Sequence, residues 1–319
     1  MQLDATSYTD LSIFHQEEEF SVFHKLNYTR TNAGKEWLIK YFREPFSEYY
    51  QIKSTQDILK LIGGKLHQWP DNISNGTILV IEKFLDYNLD PLPKSADNMN
   101  SYFYRLLHSP DFSLARFSLT HLSDFVRGMK RLADMLDGTD APARLQTILS
   151  QARILLKHQQ MDELCNRPEK KSFSVRETVY FGQFFHDKFK QHAYELINIF
   201  SQLDAWYSMA KAIEVYGLQF PEISEDEDPY IEAKGLYHIL LSKPVAYDVE
   251  MSPKTNFIFL TGANMAGKST FIKSVGLAVF LAHMGMGVPA VSMKMTMFDG
   301  ILSNINVVDN IAKGESYFY

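Results

Sequence analysis

The stretch 257–283 constrains this chain more than any other part of it. An apolar run, Phe257-Ile-Phe-Leu260, leads into Thr261-Gly-Ala-Asn-Met-Ala-Gly-Lys-Ser-Thr270, and a helix-compatible segment follows to about His283. The loop satisfies G-x-x-x-x-G-K-S in the context that pattern requires, after a strand and before a helix. Gly262 and Gly267 let the backbone turn at positive φ and approach a ligand closely. The loop N–H groups and the positive end of the following helix form a concave anion site. Lys268 supplies a cation to bridge β- and γ-phosphates, Ser269 a hydroxyl for Mg²⁺, and Thr270 a further phosphate contact. The spacing therefore predicts a phosphate-binding loop for Mg-ATP or Mg-ADP. Its binding residues are Gly262, Ala263, Asn264, Met265, Ala266, Gly267, Lys268, Ser269 and Thr270. The run 256–260 is expected to be a buried parallel strand and 300–308 another, so that strand, loop, helix and strand begin an α/β domain.

Upstream the pattern is helical. Thr31 or Asn32 is a suitable N-cap for a helix through Lys35, Trp37, Leu38, Tyr41 and Phe42 that stops before Pro45. Apolar residues recur at helical spacing over 114–136 and 145–156, and 174–216 reads as one long strut unless it breaks near Gly182. Pro221, Pro229 and the acidic residues 222–228 then mark a boundary that reads as a solvated linker. The fold class expected is multidomain, α plus α/β. A helical region covers 1–220, an acidic linker 221–234, and the N-terminal part of a P-loop nucleotide-binding domain 235–319, incomplete at its C-terminal end.

Composition adds exclusions. A net charge of −6 argues against a protein that coats nucleic acid by bulk charge, though a local basic face stays open. One cysteine, Cys165, allows neither an internal disulfide nor a cysteine zinc site. No membrane span or signal peptide is indicated, which makes the cytoplasm the default. The histidines form no H-x-x-x-H pattern, Met284, Met286, Met293, Met295 and Met297 read as packing, and Arg116, Arg127, Lys130 and Arg131 read as a solvated face.

The loop interior narrows the reading. Gly262-Ala-Asn264-Met265-Ala-Gly-Lys-Ser-Thr270 resembles the MutS family of DNA mismatch-repair ATPases. Val288-Pro-Ala290 follows the helix at the family's spacing, and 309–318 is similar to the loop that reaches the neighbouring subunit's nucleotide. Glu315 and Tyr317 depart from that loop's usual basic residue and threonine. Upstream, Leu3-Asp-Ala-Thr6, Leu26-Asn-Tyr-Thr-Arg-Thr-Asn-Ala-Gly34, Leu203-Asp204 with Ser208, and Gly235 with His238 match the family's core and the helix leading to its ATPase domain.

The resemblance implies a domain III-like helical region and a domain V-like ATPase region. Val245 would border the adenine, and Ser316 would contact the γ-phosphate across a homodimer. DNA, duplex or branched, would be the partner, with a downstream repair factor possible. The mismatch-reading domain and its Phe-x-Glu wedge are not expected, since core-like sequence begins at residue 3, and Phe220-Pro-Glu222 is a coincidence of letters. No strand ending in Asp-Glu follows the loop, so the catalytic residues are unknown and the chain as given is expected to bind nucleotide poorly and hydrolyse little. Two other classes fit the loop alone: a P-loop kinase acting on a small molecule, and a helical interaction protein with a vestigial nucleotide site.

Overall fold

The structure is a computed structural model that describes residues 1–168, 172–226, 228–263 and 266–305. Two compact units partition the chain. The first comprises Met1–Tyr28, Leu38–Gly63 and Ser208–Tyr319, and the second Thr29–Trp37 and Gly64–Tyr207. In chain order the helices are α1 (Ala5–Asp10), α2 (Val22–Leu26), α3 (Asn32–Arg43), α4 (Tyr49–Gly63), α5 (Asn75–Asp86), α6 (Asn98–Leu107) and α7 (Ser109–Met135). They continue with α8 (Ala143–Leu156), α9 (Gln159–Asn166), α10 (Val175–Gln183), α11 (Lys190–Tyr216) and α12 (Lys268–His283). The strands are β1 (Gln2–Leu3), β2 (Glu222–Ser224), β3 (Ile231–Leu236), β4 (Tyr247–Met251), β5 (Ser292–Thr296) and β6 (Gly300–Ile301).

In the second unit α7 is the central element. Its buried positions Phe112, Ala115, Leu119, Leu122, Val126, Met129 and Ala133 recur every three or four residues, and α5, α6, α8, α9 and α10 pack around it. The expected long strut is interrupted. Residues Phe184–Lys188 form a π-turn between α10 and α11. Around it Phe184, Phe185 and Phe189 cluster, with ring centroids 5.2–5.7 Å apart.

Asp204 of α11 fixes the start of α3 within this unit. Its buried carboxylate accepts from Arg30 N (3.0 Å), Thr31 N (2.9 Å) and Thr31 Oγ1 (2.8 Å), while Thr31 Oγ1 in turn accepts from Gly34 N. Thr31 is thus the N-cap expected from the sequence. Gly34 is required for space, because a Cβ there would fall on the Asp204 carboxylate. In the first unit Ser208 plays the matching part, accepting from Tyr28 N at 2.7 Å and donating to Leu26 O at 3.2 Å. The upstream residues that carry the family resemblance are therefore the ones that tie 26–34 to α11.

The first unit holds a four-stranded sheet in the order β2-β5-β3-β4, with β2 parallel to β5 and the other pairs antiparallel. Of the expected linker 221–234, Glu222–Ser224 is β2 and the first four residues of β3 follow. Glu222 of the acidic run pairs across the sheet: Lys294 on β5 lies in register with both Glu222 and Glu232, and its Nζ is 3.3 Å from Glu222 Oε2. The strand expected at 256–260 does not form. The run pairs with no strand among the described residues, and Phe257 (78%), Ile258 (42%), Phe259 (81%) and Leu260 (37%) are exposed. A parallel α/β sheet around the loop is therefore not completed among the described residues. Of the strand expected at 300–308, Gly300–Ile301 pairs with β1, and 306–308 lie outside the described residues. Of the five methionines read as packing residues, Met284, Met286, Met293 and Met295 are buried and Met297 is half-buried. Among the described residues no helix is long and apolar enough to cross a membrane.

Candidate functional site

The glycine loop owes its position to the helix behind it. The second half of α12 is core: Leu277 to His283 are buried, and Phe280 packs on Phe42 (5.9 Å) and edge-on to Tyr8 (6.2 Å). His283 fastens the end of the helix. Its Nδ1 is 2.9 Å from Phe46 O and its Nε2 is 3.2 Å from Phe298 N, so the bonding assigns a neutral ring that donates from Nδ1 and accepts at Nε2. Burial lowers its pKa, against the opposing influence of the Phe46 bond. The first half of α12 leaves this core, with Ser269 and Ile272 exposed.

At that outer end Gly262, Ala263 and Ala266–Thr270 of the loop are described. Gly267 takes φ 88° and ψ 10°, a left-handed conformation costly for any residue with a Cβ, and caps α12. Lys268 Nζ donates to the carbonyls of Gly262 (2.7 Å) and Ala263 (2.8 Å), so the side chain lies across its own loop. The Ser269 and Thr270 hydroxyls make no hydrogen bond among the described residues, and the N–H groups of Lys268, Ser269 and Thr270 open the helix without helical acceptors. Cation, hydroxyls and amides thus converge within one turn, an arrangement suited to a polyanion. Asn264, Met265 and Ser316 lie outside the described residues. Val245 is 66% exposed in the segment before β4.

Two residues that the sequence reading did not single out for this site belong beside it. Tyr247 opens β4, and its ring meets Phe271 of α12 edge-on, with centroids 5.4 Å apart. Its hydroxyl is 3.4 Å from the point where a Cβ on Gly267 would lie. Gly235, noted for its resemblance to the family's Gly-(Arg)-His pair, sets up this approach: at φ 61° it makes the bulge between Ala233 and Leu236, and its N–H donates to Asp248 Oδ1 at 2.8 Å. The bulge brings Leu236 into register with Tyr247. An αL glycine followed by an aromatic about a dozen residues on is the only sequence signal for this arrangement, and it is a weak one. His238, also in the first unit, is buried, with its Nε2 unbonded. Burial, then Lys273 and Lys25, push its pKa down to about 4.

Other polar clusters are accounted for by the fold. Asp90, His108 and Asp111 bring ligand atoms within 4.8 Å of one another, but they bond among themselves: His108 Nδ1 to Asp90 Oδ2 at 2.7 Å, and Asp90 N to Asp111 Oδ2 at 2.9 Å. Arg127 donates to the carbonyls of Leu164 and Arg167, and Lys130 pairs with Asp162 at 3.3 Å. Burial raises the Cys165 thiol pKa, which leaves it an unreactive thiol.

Comparison with known proteins bears on the same loop. Residues 258–319 match the family model of MutS domain V. The DNA mismatch repair protein MutS of Pseudothermotoga lettingae is 36% identical over 132 residues, 39% of this chain and 16% of that protein. MutS of Fervidobacterium nodosum is 28% identical over 178 residues, 55% of this chain and 22% of its own length. The DNA mismatch repair protein MSH3 of Vanderwaltozyma polyspora is 36% identical over 129 residues, 39% of this chain and 12% of that protein. The matched part thus spans between 12% and 22% of these relatives. The loop described above falls inside the part of the chain, 258–319, that is similar to MutS domain V.

Proposed function

We propose that this chain is a MutS-type ATP-dependent DNA-binding protein of mismatch repair or recombination, in which nucleotide binding is coupled to dimerisation and to gripping DNA. The observation that carries the reading is the outer end of α12, where a left-handed Gly267, the Lys268 ammonium and two unbonded hydroxyls stand together within a MutS domain V match. The first-turn amides and Lys268 would take the phosphates. Lys268 would exchange two neutral carbonyl acceptors for a charged one, a trade that favours the bound state because charge-assisted bonds are the stronger. Ser269 would hold Mg²⁺, whose charge offsets that of the β- and γ-phosphates. Ser316 is the residue proposed to reach a second copy's nucleotide. The DNA role rests on the names of the relatives, which are DNA mismatch repair proteins.

The test is thermal melting of the full-length protein with and without Mg-ATP. A ligand at 100 times its Kd stabilises the folded state by about 2.7 kcal/mol, so the melting temperature should rise with Mg-ATP and stop rising in Lys268→Ala. A wild-type protein indifferent to Mg-ATP, or a Lys268→Ala variant with undiminished response, overturns the nucleotide reading. ATP binding without ATP-dependent dimerisation or DNA retention in cross-linking and gel-shift assays overturns the coupling.

A further inference from the structure

We infer that Tyr247 is a nucleotide-contacting residue, whose phenol hydroxyl donates a hydrogen bond to the polyphosphate held by the glycine loop. The inference rests on the nucleotide reading above and adds to it a ligand contact from outside the loop motif.

Three observations carry it. The ring is held from two directions, by the strand register that sets Tyr247 opposite Leu236 and by the edge contact with Phe271 one turn into α12. Its hydroxyl stands beside Gly267, the residue that turns the chain into the helix and directly precedes Lys268. That hydroxyl makes no hydrogen bond among the described residues, although the ring carrying it is only half-exposed. A phenol brought this close to an anion-binding turn and left without an internal acceptor has its donor free for the anion. The hydroxyl lies within van der Waals reach of the position a Cβ on Gly267 would take, 3.4 Å away. The ligand part addressed is the phosphate chain, which every nucleoside di- or triphosphate shares, so the contact should not select among bases.

Tyr247→Phe isolates the hydroxyl, and with no internal bond to lose the variant should melt with the wild type when no nucleotide is present. Binding of Mg-ATP, Mg-ADP and inorganic tripolyphosphate to the full-length protein would be measured by calorimetry. One hydrogen bond from a neutral donor to a charged acceptor corresponds to a weakening of roughly 12- to 160-fold, expected alike for all three ligands. Unchanged affinities in Tyr247→Phe overturn the inference. A loss confined to the two nucleotides, with tripolyphosphate unaffected, also overturns it, because the hydroxyl would then address the nucleoside. Lys268→Ala, measured in parallel, separates the two claims. If it too binds as tightly as wild type, the nucleotide reading itself fails, whereas a loss there with none in Tyr247→Phe removes Tyr247 alone.

Discussion

The junction of α3 with α11 and the loop ahead of α12 are both dense in polar groups, but they satisfy them in opposite ways. At the junction every donor turns inward: Arg30 N, Thr31 N and Thr31 Oγ1 all converge on the buried Asp204 carboxylate. At the loop the Ser269 and Thr270 hydroxyls and the first-turn amides have no internal acceptor among the described residues, and the Lys268 ammonium rests on carbonyls it can leave. Buried polar groups without partners are costly, so the first arrangement is what stability demands. The second is stable only because it is exposed, and exposure leaves its groups free to bind. Both places are marked by the same family resemblance in the sequence, yet one set of residues holds the fold and the other is available for a ligand.

The sharpest way to break this contrast is Asp204→Ala. It removes an acceptor shared by three donors, two of them on buried Thr31, and the cost should be about 3–5 kcal/mol in urea unfolding. Mg-ATP affinity per folded molecule should stay unchanged. A loss below about 1 kcal/mol would mean that water replaces the carboxylate, and that the junction is not closed as described.

How much of this was legible follows from what each pattern encodes. The helical period of 114–136 and 145–156 fixed α7 and α8, and the Thr31 cap was readable because capping is local chemistry. The π-turn at Phe184–Lys188 was not, since it is driven by aromatic packing that a period cannot display. Nor could charge count foretell that Glu222 would lie in a strand beside Lys294, a partner some seventy residues away. On α6, Met99, Tyr102, Phe103, Leu106 and Leu107 repeat at the spacing of a core helix and are exposed, because spacing names a face and not what covers it. At the proposed nucleotide site, the candidate loop residues come from one contiguous motif. Tyr247 escaped because it arrives through strand register, set by the Gly235 bulge.

Acid should separate the two regions next. A histidine whose folded pKa is depressed binds fewer protons folded than unfolded, so its share of stability is present above the unfolded value and lost as pH falls. For His238 the window runs from 6.5 down to about 4, a loss of about 3 kcal/mol at 1.36 kcal/mol per pH unit. His283, also lowered by burial, acts in the same direction. Asp204 has the opposite sign: burial raises its carboxyl above 3.8, so protonation favours the folded form. The first unit should therefore lose protection before the second between pH 6.5 and 4, read by hydrogen exchange. His238→Gln should flatten the decline without abolishing it. Equal loss in both units would contradict the assignment of the acid-sensitive groups.

The smallest effect expected is at Phe259, and its smallness is the point. Burying a phenylalanine contributes about 1.5–3 kcal/mol, and truncating one in a packed core costs more still. Phe259 is 81% exposed, so Phe259→Ser should change the melting temperature of this chain by no more than the equivalent of about 0.5 kcal/mol, while reducing its binding of a hydrophobic dye. The alternation along 257–260, with Phe257 and Phe259 more exposed than Ile258 and Leu260, gives the run two apolar faces, as a strand covered on both sides would have. A loss above about 1.5 kcal/mol would mean that the run is covered in solution. The contrast between a closed junction and an open loop would then hold for the polar groups of 262–270 and not for the apolar stretch that leads into them.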